Sequence, residues 1–140
     1  MNKVYPILFV VILTSCQTQD LSVSSEKYGY DRIEALIIPW EGLFDVGPDH
    51  YLALVFSKSC QHCLAIEDTV VRYALAEGNT PLFFIPATSE IPKGNDLSKT
   101  LGATSIEEVF IMGWPTLLEL SSGILIDHRA GEKAVLEKLV

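Results

Sequence analysis

Cys60, Gln61, His62 and Cys63 are the residues of this chain best suited to do chemistry. They stand where an apolar run, Leu52-Ala53-Leu54-Val55-Phe56, ends and an amphipathic pattern begins at Cys63-Leu64-Ala65-Ile66. The run reads as a short buried strand and the pattern as the start of a helix. Two cysteines spaced this way at a helix start lie within bridging distance, so they can close a disulfide. The unsatisfied N–H groups and the dipole of that helix start favour a thiolate on the first sulfur. Attack requires thiolate, and a free thiol has a pKa of about 8.5, so the helix start has to lower it. The spacing therefore predicts a redox site.

The elements that must hold this pair are also readable. Ala35-Leu36-Ile37-Ile38 predicts a first strand, and Trp40 to Val46 a short helix opened after Pro39. Gly47-Pro48-Asp49-His50 is a turn, and Tyr51 to Phe56 the central strand. From Gln61 to about Glu77 the pattern predicts the longest helix, with Leu64, Val71 and Leu75 on its apolar face and Asp68 and Arg72 on a wetter one. Gly78-Asn79 stops it. Leu82-Phe83-Phe84-Ile85 is a second buried strand. Between Pro86 and Thr104, Pro92, Gly94 and Gly102 break any long element, leaving room for a short helix around Leu97 to Leu101. Ser105 to Glu108 caps a further turn. Thr116 to Leu120 and Ile124 to Asp127 flank Ser121-Ser122-Gly123, a hairpin signal. Glu132 to Leu139, with Val135, Leu136 and Leu139 at helical spacing, closes the chain. Trp40, Phe44, Phe56, Phe83 and Phe84 read as core packing. The order predicts an α/β sandwich with a mixed sheet.

The chain's 140 residues suit one domain with one core, and their formal charge is −8. An acidic surface without a basic cluster argues against nucleic acid and against electrostatic docking to anionic lipid. Met1-Asn2-Lys3 followed by the mostly apolar Val4 to Leu13 suits a signal-peptide core. It is too short to span a bilayer, which takes about 20 apolar residues. Leu13-Thr14-Ser15-Cys16 resembles the bacterial lipobox, in which a peptidase cuts before a cysteine that receives lipid. That resemblance implies a signal peptide over 1–15 and a lipidated Cys16 with a flexible tether over 16–29. It implies a domain over 30–140, held to a membrane of the bacterial cell envelope and facing away from the cytoplasm. An uncleaved or non-lipidated signal, with Cys16 a spare thiol, is the alternative. With Cys16 lipidated, Cys60 and Cys63 are left as the pair.

From about Ala35 to its end the chain resembles the thioredoxin superfamily. The resemblance rests on the strand leading into Cys60-Gln61-His62-Cys63 and on the later Gly113-Trp114-Pro115-Thr116. It rests as well on the closing sequence of the Leu117 to Leu120 strand, Gly123 turn, second strand, Gly131 and helix. Zinc sites share a lone Cys-x-x-Cys, but not one followed by Gly-x-Pro-Thr before a hairpin. The family fold is a three-layer sandwich, a central mixed sheet flanked by helices. The resemblance implies a cis Pro115 beside the sulfurs, for which an X-Pro bond costs only about 0.5–1 kcal/mol. A cis bond would turn the Trp114 backbone toward an extended substrate peptide, making Trp114, Pro115 and Thr116 substrate-binding. A trans proline opening a strand is the alternative.

Roles follow from the same resemblance. Cys60 is the exposed nucleophile, and Cys63 resolves the mixed disulfide as the pair cycles through a Cys60–Cys63 disulfide. Thioredoxin reductants usually carry Pro where this chain has His62, and periplasmic oxidases often carry His. An imidazole beside Cys60 can donate a hydrogen bond or positive charge to the thiolate, making the disulfide more oxidising. A solvated His62 without redox effect is the other reading. The family's acid in the central strand is replaced here by Leu54, leaving Glu67, four residues after Cys63, as the substitute proton carrier. A solvated Glu67 beside Asp68 is the alternative. Ser59 replaces the family's Trp. Lys58 either adds positive charge near the thiolate or is solvated, and Trp114 is either a substrate platform or core.

The function implied is a membrane-tethered, extracytoplasmic thiol–disulfide oxidoreductase without cofactor or metal. Its partners would be client proteins carrying thiols or disulfides and a redox partner protein, a membrane-embedded one being a candidate. Two alternatives stand. One is a copper or zinc carrier using both thiolates with His62 or His50, although a closed zinc site wants four ligands. The other is a docking lipoprotein that keeps the fold without the chemistry. His62 leans toward oxidase, while many tethered members reduce their clients. Without a second domain or dimerisation segment, isomerase is least expected.

Overall fold

A computed structural model describes residues 26–140. The signal segment 1–15, Cys16 and the tether up to residue 25 lie outside the described residues. Among the described residues, no helix is long and apolar enough to cross a membrane.

Four strands form one sheet: β1 (His50–Phe56), β2 (Leu82–Pro86), β3 (Thr116–Ser121) and β4 (Ile124–Ala130), in the order β2-β1-β3-β4. β1 runs parallel to β2, and β3 is antiparallel to both β1 and β4. Three helices accompany it: α1 (Gln61–Ala65), α2 (Glu67–Leu75) and α3 (Glu132–Leu139).

β1 is apolar on both faces because both are covered. Leu52, Leu54 and Phe56 point to one side with Leu82, Phe84 and Leu117, where Cys63, Ile66, Val70, Val71 and Val135 of the helical layer meet them. Tyr51, Ala53 and Val55 point to the other with Ile85, Leu118, Leu120 and Leu125. Trp40, Leu43, Ile91, Ala103, Val109 and Ile111 close that second face. The three-layer sandwich with a mixed sheet is therefore present. Its second outer layer has only single 3-10 turns, at Trp40–Gly42, Leu97–Lys99 and Ile106–Glu108.

Several elements differ from the sequence expectation. Ala35 to Ile38 is not a strand: a 3-10 turn, Glu34–Leu36, leads into a single bridge between Ile37 and Phe84. The N–H groups of Leu36 and Ile37 are spent on the carbonyls of Ile33 and Glu34. Only Ile38 N–H reaches β2, at 2.9 Å from Phe84 O, and Pro39 then ends the ladder for want of an N–H. Trp40 to Val46 holds one turn rather than a helix, and Leu97 to Leu101 likewise. The long helix is broken at Ile66 (φ −103°, ψ −1°) into α1 and α2. Its inner face runs Cys63, Ile66, Val70, Val71, at helical spacing. Leu64 sits one residue out of that phase and is 41% exposed, and Leu75 at the helix end is 43% exposed.

The hairpin and caps follow the sequence. Ser122 (φ 51°) and Gly123 (φ 76°) both take positive φ, as a two-residue turn matched to strand twist demands. Ser105 and Glu108 form a reciprocal capping box at the Ile106–Glu108 turn. Gly94 lies against the Phe110 ring, where an added Cβ would stand 2.4 Å from Cδ2. Gly94→Ala is expected to destabilise the protein by about 1–3 kcal/mol in urea unfolding. An unchanged midpoint would mean that the ring moves aside freely.

Candidate active site

The two cysteines sit where β1 hands over to α1. Cys60 occupies the N-cap position, and its sulfur accepts the Cys63 N–H at 3.4 Å. Ser57 and Ser59 brace the connecting loop, their hydroxyls 3.0 Å apart. Ser57 N–H approaches Cys63 Sγ at 3.5 Å. Both cysteines are free thiols, Cys60 half-buried and Cys63 buried. Burial pushes the Cys63 thiol well above its ordinary value; the Ser57 N–H opposes this, and the neighbouring Cys60 adds to it. The pair is thus asymmetric, with one sulfur reachable and the other hidden and held protonated.

That asymmetry has a pH signature. Above the ordinary thiol value of about 8.5 the unfolded chain ionises Cys63 while the folded chain keeps its proton. The stability contributed by the neutral thiol is whole below that pH and falls as pH rises toward the raised folded value, by at most about 1.4 kcal/mol per pH unit. Urea unfolding of the dithiol protein should lose stability with pH more steeply than the Cys63→Ser variant. Parallel slopes would mean that Cys63 is not held neutral.

Opposite the sulfurs, the Trp114–Pro115 peptide bond is cis. The Cys60 thiol donates to Trp114 O at 3.7 Å. Pro115 is buried, and its carbonyl accepts Gly131 N–H at 2.9 Å, tying this loop to the start of α3. Thr116 is buried, with its hydroxyl donating to Gly113 O at 2.6 Å. It closes the turn, and its side chain does not face the surface expected to bind substrate. Trp114 is half-buried, packs against both core clusters and carries Lys93 Nζ 4.3 Å above its ring.

Glu67 and His62 each engage a partner other than the sulfurs. Glu67 does not hydrogen-bond the Cys63 sulfur; its Oε1 accepts Tyr30 N–H at 2.7 Å. Tyr30 OH in turn donates to the Cys63 carbonyl at 2.6 Å, and burial raises the phenol's pKa, helped by nearby Cys63 and Glu67. Glu67 therefore helps dock the segment that enters the domain. Tyr30 packs on Phe56 and Phe84, with centroids at 4.6 and 6.2 Å. Tyr30→Phe leaves a buried carbonyl without its donor and is expected to cost about 1–3 kcal/mol in urea unfolding. A loss below a few tenths would mean that water replaces the hydroxyl.

His62 turns outward. Its Nδ1 meets Glu132 Oε1 at 2.5 Å, and among the described residues no hydrogen bond joins it to either sulfur. Lys58 and Ser59 are exposed on the same loop, and Leu54 is fully buried in the core. Tyr30, Ser57 and Glu132 are the site residues that sequence reasoning missed. The hydroxyl-rich Ser57-Lys58-Ser59 before Cys60 was the one local signal for any of them. His50 opens β1 and pairs with Glu119 at 2.7 Å. The seven residues of β1 span roughly 20 Å, so His50 is remote from the thiols and drops out as a shared metal ligand. Among the described residues, no three of His, Cys, Asp and Glu converge as a metal-binding group.

No family model matches the chain, and no curated protein is similar to it. Solved structures are. Thioredoxin f from spinach chloroplast, in its short form, is 19% identical over 76% of this chain and 93% of that one, with a TM-score of 0.48. Thioredoxin from Aeropyrum pernix is 22% identical over 73% and 79%, with a TM-score of 0.47. The sheet order, the cysteine pair at the first helix and the cis-proline loop before the closing hairpin are the molecule's own, and together they make this a thioredoxin-like α/β fold.

Proposed function

We propose that this protein is a thiol–disulfide oxidoreductase for protein clients, working through a mixed disulfide on Cys60 that Cys63 resolves. The observation that carries this is the asymmetry of the pair: Cys60 is reachable at a helix N-cap, and Cys63 is hidden behind it. In the reducing direction, the Cys60 sulfur attacks a client disulfide. A Cys60–client bond forms as the client bond breaks, and the departing client sulfur takes up a proton. Cys63 then gives up its proton and attacks the Cys60 sulfur, releasing the second client thiol and leaving Cys60–Cys63 oxidised. Run backward, the same steps oxidise a client dithiol. The reduction potential against the surroundings sets the direction, and family values span about −270 to −120 mV.

The backbone of Trp114 beside Cys60 is the surface along which a client strand would lie. The sequence around Cys16 supports lipid anchoring outside the cytoplasm, with a redox partner in or on the same membrane. Cys16→Ser should move the protein from the membrane fraction to the soluble one; continued sedimentation with membranes would remove that part of the reading. The catalytic part is tested by turnover of a peptide disulfide in a glutathione buffer. It should be lost in Cys60→Ser, and equal turnover without Cys60 would refute it.

A further inference from the structure

His62 and Glu132 are brought together from positions 70 residues apart in the sequence, His62 next to Cys63 in the chain and Glu132 near enough to add to the upward pull on the Cys63 thiol. A carboxylate only accepts hydrogen bonds, so the contact at 2.5 Å places the donor proton on Nδ1 and leaves Nε2 as the free ring nitrogen. Side chains of a helix lean toward its N-terminus, and His62 is on the first turn of α1, whose N-cap is Cys60. The ring therefore stands next to the cysteine pair, on the exposed side of α1. It is 73% exposed and hydrogen-bonds neither cysteine. Glu132 is itself fixed: it is the first residue of α3, and the preceding Gly131 N–H is bound to Pro115 O at 2.9 Å. α1 thus supplies the imidazole and α3 its carboxylate, with the cis-proline loop tied to the residue just before that carboxylate.

We propose that His62 is the acid–base group for the client's own sulfur, and that Glu132 is the positioning residue that holds its ring. This rests on the oxidoreductase reading above. When a client thiol attacks the Cys60–Cys63 disulfide, its proton passes to Nε2 as the client–Cys60 bond forms; Cys63 departs with the electron pair and takes up a proton from water, and the ring returns its own to solvent. In the opposite direction the ring, having taken a proton from solvent, gives it from Nε2 to the client sulfur that leaves. Atoms and charge balance either way, and no further reactant is needed. Cysteine thiols, with a pKa of about 8.5, are the class of client sulfur for which such a proton matters at neutral pH.

The test compares two disulfides in single-turnover reduction by the full-length dithiol protein. One is an aliphatic peptide disulfide, whose leaving sulfur must be protonated. The other is an aromatic disulfide, whose leaving thiolate is stable without a proton. In both His62→Ala and Glu132→Ala, the ratio of the peptide rate to the aromatic rate should fall about tenfold. That is below the 10²–10⁴ range of general acid–base catalysis because water competes at an exposed ring. The double variant should be no slower than His62→Ala alone. Equal slowing of both disulfides, or a normal ratio in Glu132→Ala, would overturn the proposal. Wild-type protein that reacts with neither disulfide refutes the oxidoreductase reading itself, an outcome unlike any change in the ratio.

Discussion

Replacing Cys60 by serine is expected to bring exchange with protein disulfides down to the uncatalysed rate, while Cys63→Ser leaves client proteins bound through Cys60. The two sulfurs differ in access: Cys60 caps α1 at the surface, and Cys63 lies beneath it against Phe56, Ile66 and Leu117. Without Cys60 no reachable thiol remains among the described residues, since burial keeps Cys63 from meeting a client and holds it protonated. Without Cys63 the first bond still forms, but nothing within the protein displaces it. Non-reducing electrophoresis after alkylation reads both outcomes. Adducts of equal yield in the two variants would contradict the assignment of roles.

The largest loss of stability is expected from Phe84→Ala, at about 3–5 kcal/mol. Phe84 is fully buried on the edge strand β2, facing the helical layer. Its ring stands edge-on to Phe56 with centroids 5.7 Å apart and edge-on to Tyr30 at 6.2 Å. Such pairs add about 0.5–1.5 kcal/mol beyond burial. Its carbonyl also receives Ile38 N–H, so the aromatic cluster and the bridge that pins the entering segment share one residue. A loss of this size is a large part of the 5–15 kcal/mol that ordinarily stabilises a domain. It should appear in urea unfolding as a lower midpoint at unchanged slope. A loss below about 1 kcal/mol would mean that the neighbouring rings collapse into the space.

The sulfur pair and the sheet were legible because their signals are local. β1 and β2 are unbroken apolar runs bounded by turn residues, and Ser121-Ser122-Gly123 announces its own turn. The break in the first helix was not legible, because Ile66 carries none of the Gly or Pro chemistry that marks a break. Spacing for one unbroken helix puts Leu64 on the apolar face, whereas the folded chain buries Cys63 and exposes Leu64. Ala35 to Ile38 looked like a strand by composition, yet its N–H groups close a turn first. The partners of the site were hidden for another reason. Tyr30 reaches Glu67 across 37 positions, and His62 reaches Glu132 across 70, with no periodicity to announce either pairing. Glu67 had the right helical spacing from Cys63, but spacing could not show that a backbone N–H already held its carboxylate.

Exchange with clients requires Cys60 and Cys63 to act as a reversible two-electron couple. Equilibrating the purified protein across defined ratios of reduced to oxidised dithiol, then alkylating and weighing it, measures that couple directly. One intramolecular disulfide between Cys60 and Cys63 should form along a two-electron curve with a midpoint between about −270 and −120 mV. Two thiols that stay free at every ratio, or that form only separate adducts with the buffer thiol, would contradict it.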